Sequence, residues 1–143
     1  MIAQNVMTAK ETMITQADFD RLRGLIDSPH YRSRYASSVM VLKGELDGGQ
    51  VVAADELPHG VVTMRSRVRV RDLKSDELET YTLVYPDEAD INNAKLSVLA
   101  PLGIALLGTK VGQVVKFGAP GGQRRLKVEK VLYQPEAAGD FHL

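Results

Sequence analysis

The sequence predicts an α+β fold: a short N-terminal antiparallel helical hairpin, or coiled coil, followed by an antiparallel β-sheet domain that carries one short helix. Three observations carry that expectation. Apolar residues recur at helical spacing up to about residue 46, the period then changes to two near residue 65, and the run Leu96 to Gly108 reads as strand followed by short helix. The turn Ala119-Pro120-Gly121-Gly122 closes that second half as a hairpin signal. The expected organisation is an N-terminal tail over 1–14, a helical hairpin over 15–49 and a sheet domain over 50–143.

The elements follow in chain order. Thr15 and Asp18 form a capping box with a shortened acid, and Phe19, Leu22, Leu25 and Ile26 place a helix over 16–28. Pro29 breaks it. Tyr35, Val39, Leu42 and Leu46 then mark a second amphipathic helix of roughly 15 residues, about 22 Å long, stopped by Gly48-Gly49. Neither helix is long enough to be stable alone, so the two stripes are expected to pair as a short projecting arm.

From Arg65 the chain alternates: Arg65, Arg67, Arg69 and Arg71 share one face of a half-buried strand, and Val68 and Val70 share the other. Further strands are expected at 79–85, 95–99, 113–117 and 124–133. Pro101 suits a first helical position and Gly108 a left-handed stop, which bounds a helix of about two turns between them. An antiparallel sheet wrapped on that helix is the economical assembly.

Composition narrows the function. The chain has 143 residues, 44% apolar and 25% charged, with 18 basic and 18 acidic side chains and no cysteine. That balance removes the strong positive field of an autonomous nucleic-acid binder. The first 14 residues interleave Gln4, Asn5, Lys10 and Glu11 with apolar ones, unlike a secretory signal, and no apolar run could cross a membrane, so a cytoplasmic location is expected.

Several catalytic readings fail on chemistry. Gly103 to Lys110 nearly spells a phosphate-binding loop, but Thr109 and Lys110 stand in the wrong order and the intervening residues form an apolar turn. His30, His59 and His142 are far apart, so no metal site or cofactor is expected. Asp87, Glu88 and Asp90 read as a solvated turn, and no catalytic serine or cysteine nucleophile is present in a recognisable motif. The arginine face of 65, 67, 69 and 71 can contact phosphate or an acidic surface, unless Glu77, Glu79 or Glu129 neutralise it.

The run Leu96-Ser97-Val98-Leu99-Ala100-Pro101 through Gly108, with the later Pro-Gly-Gly turn, resembles the C-terminal domain of the Gre transcription factors. Asp55 to Met64, Thr82 to Pro86 and Tyr133 to Phe141 more specifically resemble one branch of that superfamily, the regulators of nucleoside diphosphate kinase (Rnk). The resemblance implies an FKBP-like sheet domain, RNA polymerase as partner, and contact with nucleic acid only through the transcription complex. It implies polymerase contact at Leu99, Ala100, Pro101 and Leu102, with Ala100 departing from the serine of the Gre pattern. Gre factors that stimulate RNA cleavage carry two acids at the hairpin tip. Here Asp27 stands alone, followed by His30, Arg32 and Arg34, so the implied role is docking near the secondary channel and competition with Gre-type factors, without delivery of Mg²⁺. The alternatives are a peptidyl-prolyl isomerase on the FKBP-like fold, a small hydrolase using the 87–90 carboxylates, or direct control of nucleoside diphosphate kinase.

Overall fold

The computed structural model describes residues 12–140. The chain begins with strand β1 (Met13–Thr15), continues through helices α1 (Gln16–Asp27), α2 (Pro29–Arg34) and α3 (Ala36–Asp47), and returns in β2 (Gln50–Val52). β1 and β2 pair in parallel, Met13 opposite Gln50, so the three helices form the crossover that parallel neighbours require. The boundary expected between tail and hairpin therefore falls inside a strand; residues 1–11 of that tail lie outside the described residues. Three-residue strands have no periodicity to read, which is why this pair was not expected.

Thr15 caps α1, its hydroxyl accepting from the Asp18 N–H at 3.1 Å. The expected box is not reciprocal: Asp18 has one methylene fewer than glutamate, and its carboxylate accepts from the Met64 N–H at 3.1 Å. Pro29 ends α1 and also occupies the first turn of α2, so the segment expected as a plain hairpin turn is itself a helix. Proline stops the helix before it and preorganises the helix after it.

Leu22, Leu25, Ile26, Val39, Leu42 and Leu46 belong to one core with Val62, Met64, Leu99, Leu102 and Leu106. The expected projecting arm is thus corrected: α1 and α3 turn their apolar stripes onto the second half of the chain. Helices of 12 residues gain more by burying those stripes in a shared core than by pairing alone in water.

The second half is a five-stranded sheet in the order β5-β4-β3-β7-β6, built from β3 (Arg67–Asp72), β4 (Leu78–Val84), β5 (Lys95–Ser97), β6 (Val114–Ala119) and β7 (Gly122–Tyr133). Its pairs are antiparallel except β4 with β5, which run parallel, a correction to the expected all-antiparallel sheet. The connection between them makes two 3-10 turns, at Pro86–Glu88 and Ile91–Asn93, and reverses at Ala94 with φ +55°. Asp90 caps the second turn by accepting from the Asn92 N–H at 3.1 Å. β3 and β7 shift register twice, between Arg67 and Val68 and between Arg69 and Val70.

Helix α4 (Pro101–Leu106) lies close to the end of β5. A Cβ at Gly103 would stand 2.0 Å from the Ser97 carbonyl oxygen, so the packing depends on a bare backbone there. Gly108 has φ +76°, the left-handed stop expected from the sequence. A last short helix, α5 (Pro135–Ala138), folds back on the loop before β3. Gln134 Nε2 donates to the carbonyls of Pro58 and Val61 at 2.9 and 2.8 Å, and Thr63 Oγ1 donates to Glu136 at 2.8 Å. Two of the sequence blocks that carry the Rnk resemblance therefore hold one another in place.

Candidate docking surface

The start of α4 has no side-chain cap and is positioned by the turn that precedes it. Ala100 has no hydroxyl, and Ser97 Oγ accepts the Leu99 N–H at 3.0 Å, while the Ala100 carbonyl accepts from the Ile104 N–H at 2.9 Å. Of the four residues expected at the contact, Leu99 and Leu102 point into the core, at 4% and 5% exposure. Only Ala100, half-buried, and Pro101, exposed, are on the surface. Burial explains the split: Leu102 seats α4 on the core, and Leu99, in the turn between β5 and α4, joins the same core.

Pro101 stands on the rim of a groove of about 890 Å³ between α3, α4 and β6. Val41, Ala105, Val114 and Phe117 supply its apolar lining, and Glu45, Gln113 and Lys116 its polar edge. No sequence motif marks this groove, because its walls come from three distant segments. The exposed Val41 and Val114, at 55% and 47%, are the one local trace.

The residues expected at the hairpin tip lie around α2. Asp27, His30 and Arg32 are all exposed. The His30 ring meets Tyr31 edge-on at 4.9 Å. α2 carries no acid, and Arg32 and Arg34 occupy its last turn, where the helix dipole favours cations.

The arginine row divides. Arg65 is not in β3: it sits in the preceding turn at φ +66°, pairs with Glu88 at 2.9 Å and lies over the Tyr85 ring at 5.2 Å. Placing all four arginines on one strand face is therefore corrected, because the turn at 63–66, tied by Thr63 and Ser66, takes Arg65 out of the pleat. Arg71 binds Glu129 through Nε at 2.6 Å and Nη2 at 3.3 Å, which also holds the Glu129 carboxyl below its usual range. Arg67 remains exposed and Arg69 half-buried. Glu79 faces the other side and joins Asp72 on Arg124. That ion pair, with the Lys74 and Ser75 N–H groups, lowers the Asp72 carboxyl to about 2.

A second polar feature lies where α1 meets the sheet domain. Asp18 is buried, and burial raises its carboxyl from 3.8 to about 6 against the opposing effect of the Met64 N–H. Glu136 raises it further, and Arg21 and Thr15 lower it. Tyr85, also pushed up by burial, feels the same carboxylate. The sequence marked Asp18 only as a cap partner; its burial results from the docking of α1.

Comparison with known proteins gives this surface its context. The family model for the C-terminal region of transcription elongation factors GreA/GreB matches residues 57–133. The regulator of nucleoside diphosphate kinase of Escherichia coli K12 is 41% identical over 138 residues, 96% of this chain and all of that protein. This chain belongs to the GreA/GreB family. Within the family, GreA of Thermotoga neapolitana is 37% identical over 100 residues, which is 70% of this chain and 64% of that one. The solved GreA/GreB factor of Nitrosomonas europaea superposes with a TM-score of 0.72 at 36% identity, covering 87% of this chain and all of that structure. The GreA/GreB likeness thus extends through the N-terminal helices as well as the sheet. No helix among the described residues is long and apolar enough to cross a membrane.

Proposed function

We propose that this GreA/GreB-family chain is a non-catalytic transcription regulator that binds bacterial RNA polymerase near the secondary channel and competes with Gre-type factors without stimulating transcript cleavage. In this reading the chain works in the cytoplasm, the second half is the FKBP-like docking domain, and Ala100 and Pro101 at the start of α4 make the central contact. The groove beside Pro101 offers apolar surface for a projecting helix of the polymerase to rest against.

The observation that carries the reading is the shape and charge of the N-terminal unit in a chain of this family. Its helices of 12 residues span about 18 Å each and share their apolar sides with the sheet. The exposed end presents Asp27 beside His30, Arg32 and Arg34. A single carboxylate among cations is a poor Mg²⁺ ligand set, since that ion takes several hard oxygens and is repelled by positive neighbours.

Binding to purified polymerase, read as displacement of a labelled GreA, tests the docking. The chain is expected to displace GreA, and Pro101→Asp to weaken that displacement about tenfold or more through charge placed in an apolar contact. Asp is tolerated in a first helical turn, so the variant is expected to fold with an unchanged circular dichroism spectrum. Undiminished displacement by the folded variant would remove Pro101 from the contact.

A further inference from the structure

The equal count of acids and bases, 18 each, conceals a separation of charge that only the sheet reveals. Strand pairing puts paired residues on the same side. Arg67 and Arg69 of β3 therefore share the outward face with Lys130, the partner of Arg69, and with Lys127, the partner of Arg71. β6 extends the row, because Lys116 pairs with Arg125. Arg67, Lys116, Arg125, Lys127 and Lys130 are exposed and Arg69 is half-buried. Glu129 reflects the convergence: its carboxyl is lowered by Arg71, Arg69 and Lys127 together.

Ion pairing does not cancel this field. Glu129 is already taken by Arg71, and none of the six other cations forms an ion pair among the described residues. The acids that could have answered them, Asp72 and Glu79, face the opposite side, on Arg124. The result is an array of cations spaced about 6.7 Å between alternate residues of a strand, about 10 Å between Lys127 and Lys130 across the register shift, and about 4.8 Å between strands.

We propose that this outward sheet face binds the phosphate backbone of nucleic acid, independently of base sequence. A flat lattice of separate charges fits a repeating polyanion better than one small anion, which needs a concave pocket. Its composition favours nucleic acid over an acidic protein: lysine is depleted in protein interfaces, whereas lysine, arginine and hydroxyl groups are the usual partners of phosphate. Thr80 and Thr82, opposite Arg69 and Arg67 on β4, add such hydroxyls to the same face. Pro101 itself lies on α4 and not on this face; of the six cations, Lys116 also borders the groove beside Pro101.

The test is fluorescence anisotropy of the full chain with a labelled, mixed-sequence, single-stranded RNA of about 20 nucleotides. Six phosphate contacts give a log–log salt slope near −4, so affinity should fall roughly 300-fold between about 50 and about 200 mM salt. Lys127→Gln with Lys130→Gln should reduce the slope by about 1.4 and weaken binding at low salt, with an unchanged melting curve. Pro101→Asp should bind RNA as the parent does. Absence of RNA binding at low salt, or a slope unchanged in the double variant, would overturn the proposal. So would tighter binding of a polyglutamate peptide than of RNA at the same salt, which would assign the face to acidic protein.

Discussion

Asp18 shows how one side chain acquires a property its neighbours in sequence do not give it. It is spaced to cap α1, and in the fold its carboxylate is buried against the Met64 N–H, near Glu136 and Tyr85. Its carboxyl holds a proton up to about 6 in the folded chain, against 3.8 in the unfolded one. The folded state therefore binds the extra proton between those values, and stability is full below about pH 4 and lost as pH rises through about 6. The shift corresponds to an effect of order 2–3 kcal/mol. Asp72 acts with the opposite sign and below that window, since its carboxyl is lowered to about 2 and its contribution disappears as pH falls from the usual range toward that value. Urea unfolding from pH 4 to pH 8 is expected to show falling stability for the parent chain and a nearly flat profile for Asp18→Asn, which keeps an acceptor for Met64 without the charge. A parallel decline in both proteins would remove Asp18 as the cause. Gln134 makes the same point with hydrogen bonds: its spacing in sequence says nothing of Pro58 and Val61, yet its amide closes both carbonyls.

The elements were legible where their signals are local. Thr15, Pro29, Pro101 and Gly108 stand at helix boundaries in the structure as the sequence predicts. Glycine separates the legible from the hidden: Gly44 and Gly103 both lie in helices, but a Cβ at Gly44 meets nothing within 4 Å and one at Gly103 meets the Ser97 oxygen at 2.0 Å. Gly44→Ala is accordingly expected to stabilise the chain by about 0.5–1 kcal/mol, through helix propensity and a less free unfolded state. Gly103→Ala is expected to destabilise it by about 3 kcal/mol or more, because α4 must lift from β5. Thermal unfolding of the two variants should move in opposite directions; a shared direction would contradict the close approach. The parallel β1–β2 pair and helix α2 were hidden for a different reason. Three-residue strands and a six-residue helix after proline carry no period long enough to detect.

Taken together, the N-terminal helices and the sheet close on one core. A blunt unit of that kind, ending in His30, Arg32 and Arg34, leads to the expectation that stalled elongation complexes supplied with this protein show no accelerated shortening of their RNA. Robust cleavage in a transcript assay would contradict the assignment of Asp27 as a solitary tip acid. Charge tells a related story, because a composition of 18 acids and 18 bases reads as neutral, whereas register gathers Arg67, Arg69, Lys127 and Lys130 on one face and leaves Asp72 and Glu79 on Arg124 behind it. Residue order alone was enough for the α+β class, the positions of most helices and strands, and the likeness to Gre factors, since each rests on spacing within a short window. It took the packed chain to establish that the helices dock instead of projecting, that Leu99 and Leu102 are buried while Pro101 is exposed, that Arg65 leaves the strand face, and where the cations gather. These depend on contacts between segments far apart in the chain, and local periodicity holds no record of such contacts.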